Sequence, residues 1–458
     1  MRYTGFIGNP DDFIECKSNQ PKYYPCPTCG KKGKRRHVVE RQIPHVGALH
    51  RRSFIVARVG VYQARCECCK YFQAAIPGVP YKGRYSYEVR NSIANGLIRD
   101  RMPYQRVIDR MREDYLLDVS LGYVHECFVW AYEQIDTEAR WGFVCANFSG
   151  LLCIDEVHDG KWTILFATDP LNDFTVSFKL VEQNDQTQMD QFLQDLKDRG
   201  LKVEVVITDG SPLYKNSLQS YWAEVEHQLC IFHVIKEVNK LILDGARAVK
   251  NRIKRQGNKG RKKRRGRPSK SAQHQRQSQQ KRTKKEEATF IFDHHYLIVR
   301  KAEDLTDQDM QDLDFMFKIA PELKLFRLFN HQFYRLFEKG ISKQTARYRR
   351  TQMVNNKDYQ ANPFLAKALK KLKKERFEKM IVFMGWKNVE RTNNHVERNN
   401  RSFRMLQKTR YKRRKQHTIE MALELDLYQR MVLHPLYQPQ IISTLTPLKE
   451  PLPLKLAA

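Results

Sequence analysis

The sequence predicts a multidomain α/β protein in three parts: a small β-ribbon closed by metal, a three-helix unit, and a strand-rich core interrupted by helices. Three observations carry this. Five of the ten cysteines fall at Cys26, Cys29, Cys66, Cys68 and Cys69. Three strand patterns, a helix pattern and a fourth strand follow one another between Leu151 and Gly210. Amphipathic helical runs then fill most of the chain from Ala288 to Phe383.

Composition bounds the rest. The 458 residues suffice for about three domains at ~150 residues each. Apolar residues make up 41%, which excludes a wholly disordered chain. No run approaches the roughly 18 apolar residues of a membrane span, so no membrane partner is expected. The start, MRYTGFIGNPDDF, lacks a basic-then-apolar leader, and a non-secreted protein is expected. The net charge is +31, from 82 Lys and Arg against 51 Asp and Glu. Nucleic acid is the first polyanion such a charge suggests.

Residues 1–82 read as a zinc ribbon. Cys26 and Cys29 form one Cys-x-x-Cys pair, and Cys66 and Cys69 a second. Four thiolates match the tetrahedral preference of structural Zn²⁺ and leave no open position for a substrate. Cys68 can replace either member of the second pair. The residues between, Phe54–Val59 and Val61–Arg65, alternate as strands do.

Residues 83–145 read as a helix-turn-helix. Val89, Ile93 and Leu97 mark one helix; Val107, Ile108 and Met111 mark a second after Pro103. Tyr115–Asp118 forms a turn, and Ser120 caps a third helix bearing Val124, Phe128 and Ala131 inward. Gly122, Tyr123 and His125, near that helix's start, would face bases or phosphates of double-stranded DNA. Plain three-helix packing is the alternative.

Residues 146–245 read as the first part of a catalytic core. Leu151–Val157 is a buried strand breaking into Asp155 and Glu156. Trp162–Asp169 and Val176–Val181 continue a meander, Gln186–Arg199 is an amphipathic helix, and Val203–Gly210 is a strand carrying Asp209. This order matches a ribonuclease-H-like fold, in which the first and fourth strands lie side by side and Asp155 meets Asp209. Converging carboxylates repel unless a divalent cation lies between them, and all-oxygen ligands suit Mg²⁺ or Mn²⁺. Successive strand residues point to opposite faces, so only one of Asp155 and Glu156 is expected to line the site.

The third acid is expected at Glu397, in residues 384–433. Thr392, Asn393 or Asn394 caps a helix on which Glu397, Arg401, Arg404 and Lys408 share one face. That arrangement would put metal at the helix start and DNA backbone along its length. Glu390 is a nearby alternative. Between the two parts of the core lie a basic linker, 246–287, and a helical insertion, 288–383, opened by a Thr306/Asp309 capping box. Arg247–Lys285 holds 18 Lys and Arg and no acid, and reads as an unstructured tether. Its Arg265-Gly266-Arg267-Pro268 core resembles an AT-hook, whose glycine lets the backbone enter a narrow minor groove between arginines. A tether gripping phosphates without sequence preference is the other reading. Residues 434–458, with five prolines, read as a flexible tail.

Together these motifs resemble the DDE-type transposases of bacterial insertion sequences, in the group with an N-terminal zinc ribbon and helix-turn-helix. The resemblance rests on the cysteine pairs, the helical region, IDE at Ile154–Glu156, ITDG at Ile207–Gly210, Cys230-Ile231-Phe232-His233, and TNNHVERNNRSFR at Thr392–Arg404. It implies Asp155, Asp209 and Glu397 as ligands of two Mg²⁺ or Mn²⁺ per active site, beside a structural Zn²⁺. It implies Cys230 and His233 as a motif supporting the core. It also implies binding of an element's terminal inverted repeats and of target DNA, cleavage, and strand transfer by a freed 3′-OH with no Ser, Cys or Tyr nucleophile. A homodimer or larger assembly on DNA and a cytoplasmic, nucleoid-associated location in a bacterium follow from the same resemblance. The competing readings are a transposase-derived DNA-binding regulator without catalysis, and a ribonuclease-H-like nuclease that cuts without joining.

Overall fold

The computed structural model describes residues 11–16, 20–64, 70–214, 218–256, 272–389, 391–407 and 413–437. The expectations placed on Cys66, Cys68, Cys69, Arg265–Pro268, Glu390 and Lys408 lie outside the described residues. The chain divides into two compact units: Met1–Asn147 with Arg401–Ala458, and Phe148–Asn400.

The first unit holds a five-stranded sheet, among the described residues, made of β1 (Asp12–Cys16), β2 (Tyr23–Pro25), β3 (Lys32–His45), β4 (Ser53–Gln63) and β5 (Tyr71–Gln73). β3 and β4 form a long antiparallel ribbon; β2 lies outside β3, while β1 and β5 both pair with β4. Period-2 alternation buries Ile55, Ala57 and Val59; the phase shifts at Gly60, and Tyr62 joins the same core with Phe72 and Ile76. Gly33 is required there, since a Cβ would meet the Phe72 ring at 2.7 Å.

Four helices follow: α1 (Tyr87–Ile98), α2 (Tyr104–Tyr115), α3 (Leu121–Glu133) and α4 (Thr137–Asn147). The capping chemistry is as the residues foretell. Ser120 Oγ accepts from Tyr123 N at 3.1 Å, and Leu116 takes a left-handed φ of 54° to end α2. The expected apolar faces meet in one core.

The second unit is built on another sheet, with β6 (Leu151–Asp159), β7 (Trp162–Asp169), β8 (Phe174–Val181), β9 (Val205–Thr208) and β10 (Glu226–Leu229). Its order is β10-β9-β6-β7-β8. β6, β7 and β8 are antiparallel neighbours, and α5 (Gln186–Asp198) leads into β9. β9 runs parallel to β6 with Leu151 opposite Val205 and Cys153 opposite Ile207. The first and fourth strands are therefore adjacent. After the short α6 (Leu218–Tyr221), β10 adds a parallel edge strand, which the sequence analysis does not anticipate.

Helices α7 (Ile231–Gln256), α8 (Ala272–His294), α9 (Asp307–Ile319), α10 (Leu323–Arg335), α11 (Lys343–Val354), α12 (Lys357–Ala361), α13 (Pro363–Lys370) and α14 (Lys374–Met380) complete this unit with the start of α15 (Asn394–Gln407). The Thr306/Asp309 capping box opens α9 as expected. Phe326, Phe329, Phe333 and Phe337 anchor an apolar cluster that runs from Leu229 to Ile381.

Three expectations need correction. Residues 247–256 and 272–285, read as tether, belong to α7 and α8. Lys, Arg and Gln are good helix formers, and α7 keeps an apolar stripe through Val249 and Ile253. Residues 384–433, read as the closing part of the core, are shared between the units. The division falls within α15, and α16 (Gln416–Val432) puts Met421 and Leu425 into the core of α1–α3. Tyr437, read as tail, is buried against Phe143.

Candidate metal centre

β6 carries its acids where its neighbour ends. β9 pairs with β6 only through Cys153, so beyond that point β6 has a hydrogen-bonded partner on one side alone, β7. Asp209 follows β9 directly, with its Oδ1 accepting from Ser211 N at 2.8 Å. Asp155, Glu156 and Asp209 each offer an oxygen, and these atoms lie within 4.8 Å of one another. This corrects the expectation that only one of Asp155 and Glu156 can line the site. Alternation fixes where each side chain leaves the strand, not where its carboxylate ends; with no β9 residue paired beside β6 past Cys153, both carboxylates can reach round the open flank toward Asp209.

The site's electrostatics are costly without a counterion. Burial pushes the Asp155 carboxyl up to about 7, with the Glu156 and Asp209 charges adding to it and Glu397 contributing less. Burial also raises Glu156, opposed by the Tyr214 hydroxyl that donates to Glu156 Oε1 at 2.8 Å. A half-buried oxygen cluster of this kind fits a divalent cation, which removes the mutual repulsion.

Three segments converge on this point. Asn393 Nδ2 donates to Ile154 O at 3.1 Å, and Asn400 Nδ2 donates to Asp155 Oδ2 at 2.7 Å. Both amides come from the start and first turns of α15, seven residues apart, and so from one helix face. Sequence reasoning singles out Asn393 only as a cap and misses Asn400. The i, i+7 pair of amides around Glu397 is the signal that could have found it. Glu397 stands outside the tight cluster, with its Oε1 at 3.8 Å from His233 Nε2. Cys230 is buried, its Sγ accepts from Asn393 N at 3.2 Å, and its own N–H donates to Thr208 O at 2.8 Å. The Cys230–His233 turn thus joins the end of β9 to the start of α15.

Residues 152–414 match the sequence profile of a transposase family, the DDE transposases of the ISL3 group. That is more than half of the chain. The chain belongs to this family. No curated protein sequence matches the transposase. Among solved structures, a chain of the Drosophila P element transposase strand transfer complex aligns at 9% identity with a TM-score of 0.39, over 77% of this chain and 93% of that one. A likeness that remote carries no weight here.

The remaining candidate residues are placed as follows. Cys26 is buried and Cys29 exposed, on a turn closed by Gly30 N to Cys26 O at 2.8 Å, with Gly30 at φ 74°. Tyr123 is half-buried, with its ring centroid 4.5 Å from that of Tyr85. His125 is exposed, with Nδ1 at 3.1 Å from Tyr104 Oη. Arg401 and Arg404 are exposed on α15. No helix among the described residues is long and apolar enough to cross a membrane.

Proposed function

We propose that this transposase binds the terminal inverted repeats of an insertion sequence as double-stranded DNA and catalyses metal-dependent cleavage and strand transfer. The observation that carries the reading is the meeting of Asp155, Asp209 and the start of α15 at the open end of a sheet with order β10-β9-β6-β7-β8. That order supports a ribonuclease-H-like core.

In this reading Asp155, Asp209 and Glu397 hold two Mg²⁺ or Mn²⁺. Metal bound by these carboxylates would supply activation of a water and charge stabilisation for the leaving oxygen of a phosphodiester. The chain's own residues do the positioning. Asn393 and Asn400 pin the acidic end of β6 to α15, and Asn400 holds Asp155 in its ionised orientation. His233 fixes Glu397 from the opposite side. Arg401 and Arg404, with Lys408, meet the DNA backbone. A zinc ribbon through Cys26, Cys29, Cys66 and Cys69, a helix-turn-helix through α1–α3, and the AT-hook-like Arg265–Pro268 hold the element's ends. Pairing two ends calls for a dimer or larger assembly. A bacterial, nucleoid-associated location accords with these roles.

The test is plasmid excision with the gene's native flanking DNA, comparing the wild type with Asp209→Asn. Excision by the wild type alone upholds the proposal. No excision by either, with tight binding to the flanks, favours a non-catalytic regulator. Equal excision by both removes Asp209 from the site.

A further inference from the structure

The outer face of the N-terminal sheet is built unlike an ordinary solvated surface. Between Gln20 and Ala64 there are ten Lys and Arg and a single acid, Glu40. Where β2, β3, β4 and β5 lie side by side, the registers Tyr23↔Lys34, Lys34↔Gln63 and Gln63↔Tyr71 form one cross-strand row. Residues directly opposite share a face. The flanking pairs, Tyr24 with Gly33 and Tyr62 with Phe72, point the other way, toward the core. The outer row therefore ends in two aromatic rings, Tyr23 at 53% and Tyr71 at 52% exposure, with Lys34 between them. Three strand spacings put the rings roughly 14 Å apart.

Cations frame this row. Lys32 shares the face of Lys34, two residues along β3, and Arg36 Nε donates to Gln63 Oε1 at 2.6 Å. Beyond Tyr71 the face runs into a cleft of about 450 Å³ lined by Arg41, Gln73, Tyr81 and Lys82 among others. Lys82 Nζ stands 5.5 Å from the Tyr81 ring centroid. By contrast α3, the helix expected to read DNA, has no Lys or Arg and carries Glu126 and Glu133 on its exposed side.

We propose that this face is a binding platform for unpaired DNA, with Lys32, Lys34 and Arg36 on the phosphates and bases stacked on Tyr23 and Tyr71. Charge complementarity selects a polyanion. The exposed rings select one with free π-faces, which a single strand offers at every nucleotide and a duplex only at its ends. The cleft beside Tyr71 is large enough to receive a base at one end of the track. The inference rests on the reading of the protein as DNA-binding and adds which face takes which form of DNA.

The full-length protein is photocrosslinked to a single-stranded oligonucleotide carrying 5-iododeoxyuridine, and the adducts are mapped by mass spectrometry. Adducts at Tyr23 or Tyr71 are expected; adducts confined to other regions overturn the proposal. In parallel, Tyr23→Ala/Tyr71→Ala should weaken single-strand binding at least tenfold while duplex binding stays within twofold. Tyr23→Phe/Tyr71→Phe should restore it, because stacking survives without the hydroxyl. Both rings are exposed, so folding is checked simply by an unchanged melting temperature. Unchanged single-strand affinity, or equal losses on single strand and duplex, overturns the platform alone. A wild type that binds neither form overturns the DNA-binding reading as well.

Discussion

Asn400 donates its amide to Asp155 Oδ2 at 2.7 Å, across 245 residues of sequence. The bond favours the ionised carboxylate in a place where burial and two neighbouring acids favour the neutral one. A hydrogen bond to a charged group is worth about 1.5–3 kcal/mol. Asn400→Ala should therefore weaken apparent Mg²⁺ affinity about tenfold or more, with DNA affinity unchanged. A magnesium titration followed by calorimetry reads this directly, and an unchanged affinity would remove Asn400 from the site.

Substituting the acids themselves should separate chemistry from binding. If Asp155, Asp209 and Glu397 hold the metal as proposed, Asp155→Asn, Asp209→Asn and Glu397→Gln each remove a ligand worth several kcal/mol in the transition state, so cleavage should fall about a thousandfold or more. End binding, measured by mobility shift, should stay near the wild-type level. Mg²⁺ should raise the wild-type melting temperature and leave that of Asp209→Asn unmoved. If Glu397→Gln cleaves normally while Glu156→Gln does not, the third ligand is Glu156, which already lies within the tight cluster.

How much of this was legible in the sequence depends on how local the signal is. The strand carrying Asp155, the strand leading to Asp209, the Ser120 cap and the Thr306/Asp309 box follow from residues a few positions apart. β10 was not legible, because only one of its four residues, Leu229, is apolar, and the residue buried beside it is Gln228. Gln228 Oε1 accepts from Phe383 N at 2.8 Å and its Nε2 donates to Met380 O at 3.1 Å, partners far along the chain. Glu156 was misread because alternation fixes where a side chain leaves the strand, not where its carboxylate ends, and past Cys153 no β9 residue stands between β6 and Asp209. Nothing local in α16 tells that Met421 and Leu425 pack with α1–α3.

Cys26 sits buried on a closed turn while its expected partners come from residues 66–69. Four thiolates from two such pairs would bind zinc tightly and couple it to folding of the ribbon. Elemental analysis should find zinc in the purified wild type, and Cys26→Ser should lose it together with end binding. Full end binding by a zinc-free protein would refute the ribbon assignment.

Gly245 lies in α7 against the Phe326 ring, closer than any Cβ could approach. Alanine there gains up to about 1 kcal/mol of helix propensity. It also forces the ring or the helix to move, at roughly 1–3 kcal/mol. Gly245→Ala should thus be net destabilising in urea unfolding, and Phe326→Leu in the same chain should recover part of the loss. A Gly245→Ala protein more stable than the wild type would mean that the ring has room to turn.

His227 on β10 should make the protein acid-labile. Burial, together with the Lys379 charge beside it, pushes its pKa down to about 3, and its Nε2 lies 2.8 Å from Thr208 Oγ1. In the unfolded chain the imidazole titrates near 6.5. The unfolded state therefore binds the proton more readily, so the stabilisation is complete above about pH 6.5 and is lost as pH falls toward 3. The slope is about 1.4 kcal/mol per pH unit from this one group. Between pH 6.5 and 5, unfolding free energy from urea titrations should drop with that slope. His227→Gln, which can still hydrogen-bond Thr208 but cannot take a proton, should flatten it. An equally steep loss in the variant would assign the acid lability to other groups.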